Sequence, residues 1–197
     1  MDDDAGLSAE LAAALAGARR RAVRDGDRQI DTAHLLHSLL EYDPEVRAAF
    51  DGGPRLARLL GYLVQRSIGY GLRWQGSVED SGAQPVVTAV GGYSPLAAAA
   101  MAHARVRAAA RRIGDAESLP DGDRSRGVDR ARGVDLLVAI AADPEARAVE
   151  VLTRAGVDAG ELRARVEDAL RGGRAEGVGE GVEEGVEECV GGGETAP

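Results

Sequence analysis

The chain has 197 residues, a formal net charge of −9, 44% hydrophobic content and only 3% aromatics; that is enough apolar material for one compact core of Ala and aliphatic side chains. All 24 basic residues are Arg, so the chain can form neither the Lys-bearing phosphate loop of a P-loop ATPase nor a Lys Schiff base. Its acidity argues against a general nucleic-acid binder, whose affinity would rest on phosphate neutralisation.

The N-terminal extension, residues 1–6, opens Met1-Asp2-Asp3-Asp4, the opposite of a basic signal-peptide leader. Ser8 is a helix N-cap, with Leu11, Leu15, Ala18 and Ala22 recurring behind it at helical spacing and Gly26 as the stop. Asp31 or Thr32 caps a second helix whose apolar face is Leu35, Leu36, Leu39 and Leu40. Asp43-Pro44 starts a short third helix through about Phe50, with Asp as cap and Pro in the first turn. After Asp51-Gly52-Gly53-Pro54 comes a fourth helix, carried by Leu56, Leu59, Leu60 and Leu63.

Residues 68–92 are rich in Gly and Ser, with a β-prone stretch from Val86 to Val90, and read as a linker on which Trp74 anchors to the core. Ser94 then opens a second series of helices: Ser94 to about Ile113, Gly133 to Ala142, Pro144 to about Ala155, and Asp158 to about Leu170. The polar, Gly-bearing segment 114–132 reads as an inserted mobile loop. From Arg171 the chain turns acidic and repeats Gly-Val-x-Glu at Gly177, Gly181 and Gly185, a pattern too poor in apolar residues to order itself. Cys189, the only cysteine, lies in this tail, so no internal disulfide forms, in keeping with a cytoplasmic protein. No apolar run approaches the roughly 18 residues of a membrane span.

The two series of helices are copies. At an offset of 86 residues Leu15, Ala18, Arg19 and Arg21 fall on Met101, Ala104, Arg105 and Arg107, and at 101 Leu35-Leu36 fall on Leu136-Leu137. Asp43-Pro44-Glu45-Val46-Arg47-Ala48 is answered by Asp143-Pro144-Glu145-Ala146-Arg147-Ala148. The offset grows within segment 114–132, which places the insertion there. Each copy must therefore repeat one supersecondary unit, and the pair shares a core.

Thr32-Ala33-His34-Leu35-Leu36-His37-Ser38-Leu39-Leu40 resembles the Thr-Glu-His-Leu-Leu signature of the Clp N-terminal repeat domain, the substrate- and adaptor-binding module of ClpC- and ClpA-type unfoldases. Gly133 to Ile140 is similar to a degraded copy of that signature, Leu7-Ser8 and Tyr93-Ser94-Pro95 match the opening of each repeat, and Val151 to Asp158 matches the connection into its last helix. The resemblance implies an all-α fold: eight helices as two pseudo-twofold-related four-helix repeats, residues 7–67 and 93–170, followed by a disordered acidic tail, 171–197. It implies a stand-alone copy without the ATPase ring, a non-enzymatic module that binds protein substrates or adaptors of a Clp system, or Clp ATPase components. No cofactor, metal or membrane enters this reading. In ClpC-type proteins the Glu of each signature helps bind phosphoarginine; Ala33 and Val134 stand there in this chain, and neither pairs with a guanidinium.

The expected binding surface lies around Leu7, Ser8, Tyr93, Ser94 and Pro95, where exposed apolar side chains would adjoin free N–H groups at helix N-termini. His34 and His37 share a helical face, but with His103 as the only other histidine they make no metal set, and His34 reads as a buried hydrogen-bonded residue. Nothing resembles a nucleophile elbow. A reading from another class is a DNA-associated helical regulator using the Arg clusters at 19–24 and 105–112.

Overall fold

The computed structural model describes residues 6–50, 53–67, 91–118 and 130–176. Trp74, the Val86–Val90 stretch and the tail beyond Glu176 lie outside the described residues, as does most of the linker. The described part is all-helical: α1 (Ala9–Asp25), α2 (Thr32–Tyr42), α3 (Pro44–Ala48) and α4 (Gly53–Ser67), then α5 (Pro95–Ser118), α6 (Gly133–Ala141), α7 (Arg147–Arg154) and α8 (Ala159–Glu176). No helix among them is long and apolar enough to cross a membrane.

Local chemistry sets the helix ends. Ser8 Oγ accepts from Leu11 N–H, and Gly26 closes α1 at φ +76°, a left-handed conformation that a side chain would strain. Asp31, rather than Thr32, caps α2, accepting from His34 N–H at 2.9 Å. Asp43 caps α3 by accepting from Glu45 and Val46 N–H.

The pseudo-twofold axis shows in two reciprocal pairings. Leu7, before α1, pairs with Ala131, before α6; Tyr93, before α5, pairs with Ile30, before α2. Ser8 N–H donates to Ala131 O and Ala131 N–H to Gly6 O, while Ser94 N–H donates to Ile30 O and Ile30 N–H to Gly92 O, all at 2.8–2.9 Å. Each repeat thus lends the lead-in of its first helix to the lead-in of the other's second. The packing follows the same exchange: α2 lies on α7 as α6 lies on α3, and α2 meets α6. The core is small and aliphatic, with Leu11, Ile30, Leu36, Leu39, Leu136, Leu137, Ile140 and Leu152 fully buried. Burying each such side chain contributes about 1.5–3 kcal/mol.

Three boundaries differ from the sequence expectation. Helix α5 continues to Ser118, into the segment read as a loop from residue 114, and Arg130 to Arg132 are already part of the second repeat, with Ala131 buried. Helix α8 runs six residues past Leu170. Helix α7 does not start at Pro144: the Asp143 carboxylate accepts from Glu145 N–H, Ala146 N–H donates to Asp143 O, and residues 143–146 form a turn. The cause is tertiary, because Ala148 N–H donates instead to Thr32 Oγ1 of the other repeat.

Candidate functional site

The sequence places the candidate surface at the openings of α1 and α5, and the structure corrects its chemistry. Leu7 is 4% exposed and belongs to the core rather than standing out as an exposed apolar side chain. The Leu7–Ala131 pairing draws it in, a long-range constraint that an N-terminal Leu-Ser does not announce. Ser94 is fully buried, its Oγ accepting from Ala97 N–H, and Ser8 is half-buried in the same capping role. Tyr93 is half-buried against the core and Pro95 is exposed, so these two are what the α5 opening presents. Ala33 and Val134 are 1% and 3% exposed. The positions that carry Glu in ClpC-type domains are here sealed into the core and hold no carboxylate.

Below these openings each repeat locks its first two helices with one buried ion pair, and the two locks have opposite polarity. In the second repeat Asp135, fully buried on α6, takes a bidentate contact from Arg111 of α5, with Arg111 Nη2 2.7 Å from Oδ2. Asp135 Oδ2 also accepts from Arg132 N–H. In the first repeat the equivalent of Asp135 is His34, and the equivalent of Arg111 is Asp25, 3.6 Å from His34 Nε2. Asp27 Oδ2 stands 3.1 Å from the same nitrogen.

His34 Nδ1 lies 3.1 Å from Asp31 N and 2.8 Å from Asp31 Oδ1, which are alternatives. A neutral ring would accept from the backbone N–H, whereas an imidazolium donates to the carboxylate. Burial opposes the charge, but the Asp31 carboxylate, with Asp25 and Asp27, lifts the ring to about 10, so it is the imidazolium. Asp25 responds in kind: burial pushes its carboxyl up, yet His34 and Arg24 hold it below the usual carboxylate range. His37 behaves oppositely, with burial first and the Arg21 charge second lowering it to about 4, so it is neutral. Asp27, Asp31 and His34 are close enough to share a cation, but Asp31 already bonds Arg147 at 2.9 Å and His34 N–H, which explains the group as an ion-pair network.

The Arg clusters are largely committed within the molecule. Arg21 pairs with Glu41, Arg24 with Asp25, Arg107 with Glu167 and Arg111 with Asp135. A different basic cluster, not singled out by sequence, comes together at the other end: Arg55 and Arg58 of α4 with Arg165 of α8 line a cleft of about 410 Å³. Helical spacing makes Arg55 and Arg58 neighbours on α4, but only the fold brings Arg165 to them.

An all-α domain of two interlocked four-helix repeats, each with a buried ion pair between its first two helices, is the class this arrangement defines. No protein-family model and no curated protein matches the chain. Solved structures do. The N-terminal domain of the caseinolytic protease associated chaperone ClpD from Arabidopsis thaliana superposes with a TM-score of 0.57 at 17% identity, covering 86% of this chain and 97% of that one. The Hsp104 N-terminal domain from Candida albicans gives a TM-score of 0.52 at 14% identity, covering 84% and 91%. A protein from a malarial secretion system gives 0.56 at 14% identity, covering 84% and 95%. The chain therefore has the fold of a Clp N-terminal domain.

Proposed function

We propose that the chain is a non-enzymatic protein-binding module of the cytoplasm that holds substrates or adaptors of a Clp system and so modulates Clp-dependent proteolysis. In this reading residues 7–67 and 93–170 are two working repeats joined by a linker at 68–92, and the opening of α5 is the contact surface. The observation that carries it is the shared fold with N-terminal domains of chaperones over nearly their whole length. The exposed Pro95 beside half-buried Tyr93 supports the choice of surface, an aromatic edge and a rigid ring at a helix N-terminus. Phosphoarginine plays no part in it, since Ala33 and Val134 leave nothing to pair with a guanidinium.

The experiment is reconstituted degradation of an unfolded client by the Clp ATPase and peptidase of the source cell, with and without a molar excess of this chain. The expected result is a degradation rate altered about twofold or more by the wild-type chain and much less by Tyr93→Ala or Pro95→Arg. The second substitution is at an exposed position and keeps the core intact. A rate unchanged by the wild-type chain, with no binding to the ATPase or client at micromolar concentration, would overturn the proposal.

A further inference from the structure

A cleft lies between the α3–α4 corner of the first repeat and the α7–α8 corner of the second. Phe50, Val157 and Leu162, all buried, line it together with Arg55, Arg58 and Arg165, and no acidic residue among the described residues does. Its volume of about 410 Å³ lies in the roughly 300–1,000 Å³ range of ligand-sized clefts. The Arg58 guanidinium reaches across to the turn at Gly156, 3.6 Å from where a Cβ would stand there. Arg165 donates to Ala49 O, which fixes it at the rim. Arg55 and Arg58 form no ion pair with a described residue, unlike most of the Arg clusters on α1 and α5. An occupant suited to this cleft combines carboxylates with a small apolar side chain.

That combination occurs in the chain itself. Residues 177–197 contain six Glu and no basic residue, and they include Gly-Val-Glu-Glu twice, at 181–184 and 185–188. We infer that this acidic segment docks in cis into the Arg55–Arg58–Arg165 cleft, a Val seated against Phe50 and Val157 and the adjoining Glu pair on the guanidinium groups. Reach permits it. Arg165 and Glu176 are separated by eleven residues of helix, about 16 Å. The seven residues from Glu176 to Glu183 span up to about 23 Å when extended, so either Val-Glu-Glu unit can fold back along α8. Solvent-exposed Arg–Glu pairs are individually weak, but tethering gives an effective concentration of roughly millimolar, and an affinity of that order suffices to fill the cleft. This holds whatever partner the α5 opening takes.

Cys189, the only cysteine, follows the second Val-Glu-Glu unit directly and accepts a nitroxide on the otherwise unmodified full chain. Paramagnetic broadening of amide resonances then reports where the segment sits. The expected result is loss of more than about half of the amide intensity at Phe50, Arg58 and Val157. Intensity should recover in Arg55→Gln/Arg58→Gln, in Glu183→Gln/Glu184→Gln/Glu187→Gln/Glu188→Gln, and in high salt. Both sets of substitutions are at exposed or tail positions, and unchanged chemical shifts in the core verify the fold. Mixing nitroxide-bearing unlabelled chain with isotope-labelled chain distinguishes the source. Broadening that appears in the mixture at the same strength means docking between two copies and overturns the cis assignment. No broadening at the cleft, or broadening indifferent to the Arg substitutions, also overturns it.

Discussion

Arg147 of the second repeat donates to Asp31 of the first across 2.9 Å, and both side chains are buried, at 7% and 3% exposure. Asp31 is at the same time the N-cap of α2 and a partner of His34. One carboxylate therefore ties a helix start, an internal lock and the interface between repeats. By the pseudo-symmetry Arg47 should meet Arg132, a like-charge pair. The molecule avoids it: Arg132 turns to Glu45 at 3.2 Å, and Arg47 donates to the carbonyls of Leu40 and Glu41.

Removing Arg147 takes a buried cationic partner from the buried Asp31 carboxylate. Arg147→Ala should cost about 3–5 kcal/mol, seen as a lower urea midpoint at unchanged m value. An exposed control, Arg154→Ala, whose Glu150 partner is also exposed, should cost less than about 1 kcal/mol. Equal effects from the two would show that the interface pair contributes nothing special.

The two histidines give opposite pH dependences. His34 is raised to about 10, so its contribution is complete below its unfolded value near 6.5 and is lost as pH climbs towards 10. His37 is lowered to about 4, so stability is complete above pH 6.5 and is lost as pH falls towards 4. Denaturation midpoints measured from pH 4 to 10 should peak near 6.5. His34→Gln should flatten the alkaline side, and His37→Gln should relieve the acid one. A plateau from pH 6.5 to 10 in the wild-type chain would contradict a charged His34.

Gly17 on α1 packs against α2: a Cβ there would stand 2.6 Å from Tyr42 Cε2 and 3.2 Å from Ser38 Oγ. Gly17→Ala should destabilise by roughly 1–3 kcal/mol through overpacking, despite the better helix propensity of Ala. Gly61 on α4 has open space around it, so Gly61→Ala should stabilise by up to about 1 kcal/mol. Thermal midpoints moving in opposite directions for the two variants would verify the contrast.

Ser94→Ala removes a buried cap from α5. It should lower stability by about 1 kcal/mol while leaving partner binding at the α5 opening unchanged once the fold is saturated. A loss of binding without a loss of stability would reassign the hydroxyl to ligand recognition.

The sequence by itself marked the eight helices and the Ser8, Ser94 and Asp43 caps, because helical periodicity and Ser and Asp caps are local chemistry. It marked Ala33 and Val134 as unable to hold a guanidinium, and the structure shows why they are tolerated, sealed in the core. Tertiary structure alone decided that Leu7 is core rather than surface, that residues 143–146 turn instead of starting α7, and that His34 and Asp135 are two polarities of one lock. The first two depend on pairings between residues more than a hundred positions apart, Leu7–Ala131 and Ala148–Thr32, and the locks on Asp25–His34 and Arg111–Asp135. No local pattern encodes such a pair, since whether a cap, a charge or an apolar side chain is satisfied depends on what the other repeat brings to it.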